Sequence, residues 1–250
     1  MIAIITGATG DIGEEFVKSL IDDVDSLWAV GRSENKLTAL KEKYGDKIRP
    51  AIFDLSDKDS IIALCHKIED EKPDIKYLVN NAGVARMAPV TDFSIEELSD
   101  MLEINDVAAT LLCRVCLPFM RAGASILNIS SASAFQPNPY IAVYSASKAY
   151  LLSFTRSLNV ENKGVNCIAV CPGWVDTKML PSNTKSGKEI KYPGMVSADK
   201  VVSCALRDCR KGKDVSVCSP YYRYTRFLSK VVPHKSLMNM WMRAIKDYVV

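Results

Sequence analysis

Residues 2–13 read Ile2-Ala3-Ile4-Ile5-Thr6-Gly7-Ala8-Thr9-Gly10-Asp11-Ile12-Gly13, a short apolar run followed by a turn with three glycines. An apolar run of this length is typical of a strand buried on both faces. The same alternation of strand and helix continues along the chain. We expect strands at 2–6, 26–31, 48–53, 76–80, 125–130, 165–171 and 214–218, and helices at 11–22, 34–44, 57–71, 94–121, 143–161 and 198–210. The pattern predicts an α/β fold in which a seven-stranded parallel sheet carries helices on both faces.

Composition is consistent with one domain in a reducing compartment. The chain has 250 residues, 48% of them apolar, and no linker-like stretch, so we expect a single domain over residues 1–250. We expect no export leader and no membrane-spanning stretch, and with eight cysteines this favours a cytoplasmic protein. Cys113 and Cys116 fall in a predicted helix and are interpreted as buried apolar groups. With only two histidines, no metal site is expected.

Tyr144 and Lys148 are the clearest candidates for chemistry. They stand in Tyr-Ser-Ala-Ser-Lys, and a spacing of four on a helix places both side chains on one face. An ammonium beside a phenol favours the phenolate, so Lys148 is expected to lower the pKa of Tyr144 and make it an acid–base catalyst. Ser131 ends an apolar strand 13 residues upstream, at the edge where open α/β sheets bind ligands. The pair alone also occurs on solvated helices; together with this strand it indicates a site.

Five motifs in the right order resemble the short-chain dehydrogenase/reductase family, in its compact branch of about this length. They are the glycine turn at 6–13, Asn80-Asn81-Ala82-Gly83, Asn105, the set of Ser131, Tyr144 and Lys148, and Pro172-Gly173-Trp174-Val175-Asp176-Thr177. The resemblance extends to about Thr177. It implies a Rossmann-type doubly wound domain, hydride transfer between a nicotinamide cofactor and an alcohol or carbonyl, and a homodimer through the helices that bear Asn105 and Tyr144.

The resemblance also implies a catalytic tetrad of Asn105, Ser131, Tyr144 and Lys148. In reduction, Tyr144 would donate a proton to the carbonyl oxygen while Ser131 hydrogen-bonds that oxygen. Lys148 would also bind the ribose hydroxyls of the cofactor. Asn105 occupies the position at which the family holds a proton-relaying water. Ser130 and Ser133 are close neighbours, but the 13-residue separation from Tyr144 selects Ser131.

The glycine turn departs from the compact-branch pattern. Its glycines stand at 7, 10 and 13, whereas that branch usually has its middle glycine where this chain has Asp11. Such a turn brings backbone close to a pyrophosphate at a helix N-terminus, so we expect the carboxylate to point away and to cap the helix. The spacing resembles the extended branch of the family, which includes sugar-nucleotide epimerases.

The end of the second strand indicates which cofactor is used. Gly31 occupies the position of the acidic residue that would accept from a ribose 2′-hydroxyl, and Arg32 can meet a 2′-phosphate. We therefore expect NADP(H) rather than NAD(H). The expected cofactor contacts are Gly7, Thr9, Gly10, Asp11, Ile12, Gly13, Arg32, Ser33, Asp54, Leu55, Asn81, Ala82, Gly83, Tyr144, Lys148, Pro172, Gly173, Val175 and Thr177.

Residues 178–196 break the strand–helix pattern and, by the resemblance, form a substrate lid; a surface loop without a role is the alternative. An apolar and aromatic set there and near the C-terminus suits an acyl, steroid-like or other lipid-like carbonyl substrate, or simply core packing. It comprises Met179, Leu180, Tyr192, Met195, Tyr221, Tyr222 and Tyr224. Two other functions are weighed. A cofactor-binding sensor or regulatory protein is disfavoured by the complete tetrad, and a sugar-nucleotide enzyme by the short segment after Thr177.

Residues 219–250 form an atypical basic and aromatic C-terminal extension. From Arg207 to Val250 ten Lys and Arg stand against three Asp, so this segment carries +7 and the remainder −4 of the total of +3. Many compact-branch members instead end in an Asp-Gly-Gly segment that helps to assemble a tetramer. The extension could lie weakly on an anionic membrane surface. Alternatively its aromatic residues pack over the cleft or a dimer partner while the basic residues stay solvated. No nucleic-acid partner is expected.

Overall fold

A seven-stranded parallel sheet forms the centre of the molecule. The structure, a computed structural model, describes residues 1–178, 180 and 190–245. The sheet strands, in chain order, are β1 (Ile2–Thr6), β2 (Ser26–Gly31), β3 (Ile48–Ile52), β4 (Ile75–Asn80), β5 (Met120–Ile129), β6 (Asn166–Val170) and β9 (Val215–Ser216), and a separate pair is β7 (Val175–Asp176) with β8 (Val196–Ser197). The spatial order is β3-β2-β1-β4-β5-β6-β9. The order therefore reverses between β1 and β4, which opens a ligand crevice at their C-terminal ends.

Helices cover both faces of this sheet. They are α1 (Asp11–Leu20), α2 (Glu34–Tyr44), α3 (Lys58–Glu71), α4 (Ile95–Leu102), α5 (Ala108–Cys116), α6 (Ala142–Glu161), α7 (Ala198–Arg210), α8 (Pro220–Val231) and α9 (His234–Ala244). Side chains of β1 alternate between two cores: Ala3 and Ile5 pack with residues of α1, α2 and α7, and Ile4 packs with residues of α3 and α5. The predicted fold class is confirmed.

The helix predicted over 94–121 is wrong as a single element. It consists of α4, a π-helical turn at Glu103–Val107, α5 and a 3₁₀ turn at Leu117–Phe119, after which β5 begins at Met120. Pro118 lies in this 3₁₀ turn, where its ring cannot continue an α-helix. A π-helical turn inside a helix commonly marks a functional site, and this one contains Asn105. Cys113 and Cys116 are buried as expected.

The C-terminal segment differs most from expectation. The last sheet strand has two residues instead of the predicted 214–218, and α8 and α9 follow it as helices that we did not predict. The packing against the body is specific: Arg223 Nε donates to the Val217 oxygen at 2.8 Å, and Trp241 Nε1 donates to the Pro139 oxygen at 2.9 Å. Within the described residues, no helix is both long and apolar enough to cross a membrane.

A buried polar network joins two central strands to α6. The Asn80 amide donates to Asn128 Oδ1 at 2.7 Å, and the Asn128 amide donates to Thr155 Oγ1 at 2.8 Å. All three residues are buried. Because buried polar groups must be hydrogen-bonded, this network fixes α6, and with it Tyr144 and Lys148, relative to the strand ends.

Candidate active site

The glycine turn lies where the C-terminal end of β1 meets that of β4. Gly7 has a φ of +60°, a left-handed conformation that favours glycine. A Cβ at Gly13 would lie 2.1 Å from the Gly7 oxygen, so α1 can approach the turn this closely only with glycine there. The Asn81 amide donates to the Thr6 and Gly7 oxygens at 3.1 and 3.0 Å. Gly10 is the N-cap of α1. The turn is therefore a cradle at a helix N-terminus, a geometry that suits a phosphate group.

Asp11 makes a contact that the sequence did not reveal. It is the first residue of α1, and its carboxylate accepts from the Lys178 backbone N–H at 3.0 Å. We expected this carboxylate to cap α1; instead it links the glycine turn to the first residue of the 178–196 segment. An acidic side chain engaged in this way is directed to the Lys178 backbone, at the start of the predicted lid, rather than to a phosphate.

The ends of β2 and β3 place Arg32 near Asp54. Arg32 is exposed and follows β2, and Ser33 is the N-cap of α2. The backbone N–H of Ser56 donates to the Asp54 carboxylate at 3.0 Å and lowers its pKa, with a further contribution from the nearby Arg32 charge. Leu55 is buried. The exposed Arg32 guanidinium beside this strand end is suited to an anionic group such as a ribose 2′-phosphate.

Ser131 and Tyr144 meet at the end of β5. Ser131 Oγ accepts from the backbone N–H of Ser133 at 3.1 Å and lies close enough to the Tyr144 phenol to affect its ionisation. Burial raises the pKa of Tyr144, and the polar Ser131 hydroxyl opposes this rise. The expected lowering by Lys148 is not seen in the protein alone, because burial of the phenol disfavours its anion.

Lys148 and Asn105 face the same backbone glycine. A Cβ at Gly83 would lie 3.1 Å from Lys148 Nζ and 3.3 Å from Asn105 Oδ1. Lys148 is 4% exposed, and its Nζ donates to the Ile129 oxygen at 3.0 Å and lies 5.7 Å from the Tyr144 ring centroid. Burial lowers the pKa of Lys148 to about 8. The ammonium is thus held at the strand end, next to a position kept free of side chain.

Asn105 is held by the backbone rather than left free. Its Oδ1 accepts from the Val84 N–H at 2.9 Å, and its amide donates to the Val84 oxygen at 3.0 Å and to Ser147 Oγ at 3.1 Å. Ser147 in turn donates to the Tyr144 carbonyl oxygen at 2.8 Å. These bonds join the loop after β4 to α6 through one buried amide. Ser147 was not predicted as a site residue, although it is the serine directly before Lys148.

Next to Asn105, Asp106 is an unexpected titratable group. Among the described residues its Oδ1 is buried without a hydrogen-bond partner. Burial raises its pKa to about 6, while the Lys148 charge lowers it. The same carboxylate opposes the lowering of the Lys148 pKa. An aspartate beside the expected Asn105 carried no signal that could be recognised in the sequence.

The Pro-Gly loop is packed under α8. A Cβ at Gly173 would lie 1.7 Å from the Tyr222 ring, so the ring occupies the space that only glycine leaves free. The Tyr222 hydroxyl donates to the Pro193 oxygen at 3.1 Å and accepts from the Trp174 N–H at 3.4 Å. Pro172 accepts from the Ala132 N–H at 2.7 Å. One tyrosine therefore bridges the two flanks of the predicted lid.

The predicted apolar set divides between the cleft and the surface. Tyr192 lies against Trp174 with ring centroids 4.9 Å apart, and Tyr221 lies edge-on to Tyr222 at 5.0 Å. Tyr221 and Tyr224 both reach the surface, because they are 46 and 59% exposed. Met179 and residues 181–189 of the predicted lid, and residues 246–250 of the C-terminal extension, lie outside the described residues. The sequence could not tell which tyrosine of 221, 222 and 224 contacts the loop.

The sheet with its switch-point crevice, the glycine cradle and the tyrosine–lysine pair define an α/β oxidoreductase of the Rossmann type. The chain belongs to the short-chain dehydrogenase family, whose model matches residues 1–188. It is an oxidoreductase of the class that acts on CH–OH groups.

Relatives and solved structures agree with this family. An uncharacterised oxidoreductase of Staphylococcus epidermidis is 30% identical and is aligned over 80% of this chain and 89% of its own length. A very-long-chain 3-oxoacyl-CoA reductase of Anas platyrhynchos is 28% identical over 98% of this chain and 80% of its own length. Among structures, a short-chain dehydrogenase from Sphingobium yanoikuyae in complex with NADPH has a TM-score of 0.78 at 24% identity, covering 95% of each chain. Another of the same fold, from Burkholderia phymatum, is a complex with NAD.

Proposed function

We propose that the protein interconverts a ketone or aldehyde and an alcohol with NADP(H), using Tyr144 as general acid and base. One observation carries the proposal: Ser131, Tyr144 and Lys148 converge at the end of β5, beside a glycine at position 83 whose missing side chain leaves room next to the ammonium. The glycine cradle lies at the neighbouring strand end. The residues present thus fit a nicotinamide dinucleotide that runs from the cradle to Lys148.

Residues of this site bind the substrate oxygen, transfer the proton and stabilise the resulting charge. The cofactor, when bound, supplies or accepts the hydride. In reduction, Ser131 hydrogen-bonds the substrate oxygen, and the Tyr144 hydroxyl gives up its proton to that oxygen. Lys148 stays largely protonated at neutral pH because its pKa is about 8, and its charge stabilises the phenolate that remains. Asn105 holds the loop that follows β4 in position against α6. The π-helical turn that contains Asn105 frees backbone groups that can hold a relay water.

The cofactor preference proposed is for NADP(H). Arg32 follows β2 and the acidic residue that would select NAD(H) is replaced by Gly31. A charge-assisted phosphate contact contributes about 1.5–3 kcal/mol, or roughly ten- to hundredfold in kcat/KM. Arg32→Ala should therefore lower kcat/KM for NADPH by this factor and leave that for NADH nearly unchanged. Equal kcat/KM for the two cofactors in the wild type would contradict the assignment.

An apolar carbonyl substrate is supported by the walls of the cleft. Trp174 of the Pro-Gly loop packs against Tyr192, and the Tyr222 ring covers Gly173 of the same loop. These rings offer apolar area with few polar groups. The very-long-chain 3-oxoacyl-CoA reductase among the relatives has, by its name, a long acyl substrate. NADPH consumption measured against ketones of graded chain length would test this substrate class.

A homodimer through α5 and α6 is proposed as well. Tyr150 is 45% exposed on α6 and stacks on Phe154 with ring centroids 5.9 Å apart. Such exposed aromatic residues on a helix face suit a self-complementary two-fold contact. Sedimentation velocity should show a dimer for the wild type and a monomer for Tyr150→Glu. A monomeric wild type would refute the proposed dimer.

Tyr144→Phe is the decisive test of the mechanism. The substitution removes the transferred proton, so kcat should fall roughly 10²–10⁴-fold, while NADPH binding followed by fluorescence stays nearly unchanged. Tyr150→Phe on the same helix is the matched control and should keep kcat. A Tyr144→Phe enzyme with most of its kcat would exclude Tyr144 as the acid.

A further inference from the structure

The outer side of α8 presents an apolar stripe to solvent. Tyr221, Tyr224, Phe227 and Val231 recur at helical spacing, and they are 46, 59, 59 and 61% exposed. With 100° per residue they occupy one third of the helix circumference, opposite the side on which Tyr222 packs against the Pro-Gly loop. We call these four residues the α8 stripe. Apolar side chains grouped in this way, unlike singly scattered ones, mark a contact surface.

The segment that bears the α8 stripe carries basic and no acidic residues, although Asp208 and Asp214 of the body line the same pocket as its Arg223 and Arg226. From residue 215 to residue 245 the sequence has no Asp or Glu, but it has Arg223, Arg226, Lys230, Lys235 and Arg243. Arg223 and Lys230 are exposed and lie two turns apart along one flank of the stripe. Lys235 is exposed at the start of α9. The complementary partner must therefore be apolar in its interior and anionic at its surface.

We propose that the α8 stripe and its flanking lysines and arginine dock onto an anionic membrane surface. A lipid leaflet offers both requirements, because its headgroups attract basic residues while its acyl boundary accepts the exposed rings of an amphipathic helix. A second copy of this chain is a poorer occupant, since a two-fold contact would place cations opposite cations and lower its affinity. Helix α8 would lie in the plane of the membrane surface and would not cross it.

Docking in this orientation would bring the cleft to the lipid. Tyr221 contacts Gly194 at the end of the predicted lid, and Tyr222 contacts Gly173 in the Pro-Gly loop. The α8 stripe therefore starts directly beside the segment over which an apolar substrate would enter. This second step rests on the proposed function, because it assumes an apolar carbonyl substrate that reaches the enzyme from the membrane; the docking itself does not depend on catalysis.

The test is co-sedimentation of the full chain with vesicles, in the absence of substrate. Wild type should pellet with phosphatidylserine–phosphatidylcholine vesicles at low salt, less so at physiological salt, and not with pure phosphatidylcholine. Lys230→Gln combined with Lys235→Gln should weaken partitioning ~25-fold, since each basic residue contributes about fivefold. Phe227→Gln should also weaken partitioning, because it removes an exposed ring that would be buried at the acyl boundary. The matched controls are Lys58→Gln with Lys163→Gln, two exposed lysines elsewhere, and Val160→Gln, an exposed apolar residue elsewhere. Neither control should change binding.

Three results would overturn the proposal. The first is a wild-type protein that stays in the supernatant with anionic vesicles at low salt. The second is an equal loss of vesicle binding in the test variants and the control variants. The third is unchanged vesicle binding by Phe227→Gln together with loss of a dimer in sedimentation velocity, which would make a second copy the occupant of the stripe. Failure of the proposed function gives a different result. If the protein pellets with vesicles but none of the ketones tested supports NADPH oxidation, the docking surface is retained and the proposed reaction is refuted.

Discussion

Replacing Asp106 with asparagine should stabilise the protein at neutral and alkaline pH. Burial raises the Asp106 pKa to about 6 from an ordinary value of 3.8, and the described residues offer its Oδ1 no partner. A raised pKa in the folded chain means that folding favours the protonated carboxyl. Protonated Asp106 therefore makes its full contribution to the free energy of unfolding below pH 4. This contribution is lost as the pH rises through about 6.

The size of the effect follows from the two pKa values. A difference of about two pH units at about 1.36 kcal/mol each corresponds to at most about 3 kcal/mol above pH 7. Asparagine has the same shape without the charge, so Asp106→Asn should gain up to this amount at pH 8, less whatever solvent screens at this partly exposed carboxylate, and about half as much at pH 5. For a chain of this length, the gain in Tm at pH 8 should be at most about 6–12 °C.

Thermal unfolding at a series of pH values between 4 and 8 measures this gain directly. Asp100→Asn is the control, because Asp100 is exposed in α4, just before the same π-helical turn. Its Tm should follow the wild type at every pH. A gain for Asp106→Asn that is absent at pH 8, or that is the same at pH 4 and pH 8, would refute the reasoning.

Two further substitutions test how the site is held together. Asn128→Ala removes one hydrogen-bond partner from the Asn80 amide and one from the Thr155 hydroxyl. The free energy of unfolding measured in urea should therefore fall by about 2–4 kcal/mol. A loss below about 1 kcal/mol would show that the network is dispensable. Tyr222→Phe removes the hydroxyl that bridges to the Pro193 oxygen but keeps the ring, so KM for the carbonyl substrate should rise several-fold while kcat changes less; equal falls in kcat and kcat/KM would instead assign Tyr222 to the chemical step.

The central part of the fold was predictable because its signals are local. Short apolar runs mark β1, β2, β4 and β6, and the turn at 6–13 places glycine where Gly7 has a positive φ and where Gly13 contacts the Gly7 oxygen. The relation of Tyr144 to Lys148 follows from helix periodicity alone. Each of these inferences needs only a few neighbouring residues.

The rest depends on contacts between distant segments. The bond from Lys178 to Asp11 spans 167 residues and the ring of Tyr222 fills the space above Gly173, and no periodicity announces either contact. The pKa of Tyr144 rose where a fall was expected, because the sequence shows the neighbouring charge but not the burial. Helix α8 was missed although its apolar residues recur at helical spacing, because the segment was interpreted as a basic and aromatic extension and not as an element of the fold.

The two outer strands of the sheet bear on how this chain resists aggregation. At one side β3 contains Pro50, which lacks an N–H, next to the exposed charge of Arg49. At the other side β9 has only two residues, both buried. A further strand could form few hydrogen bonds with either side, so growth of the sheet by addition of strands from other molecules, the first step towards fibrils, is opposed at both ends.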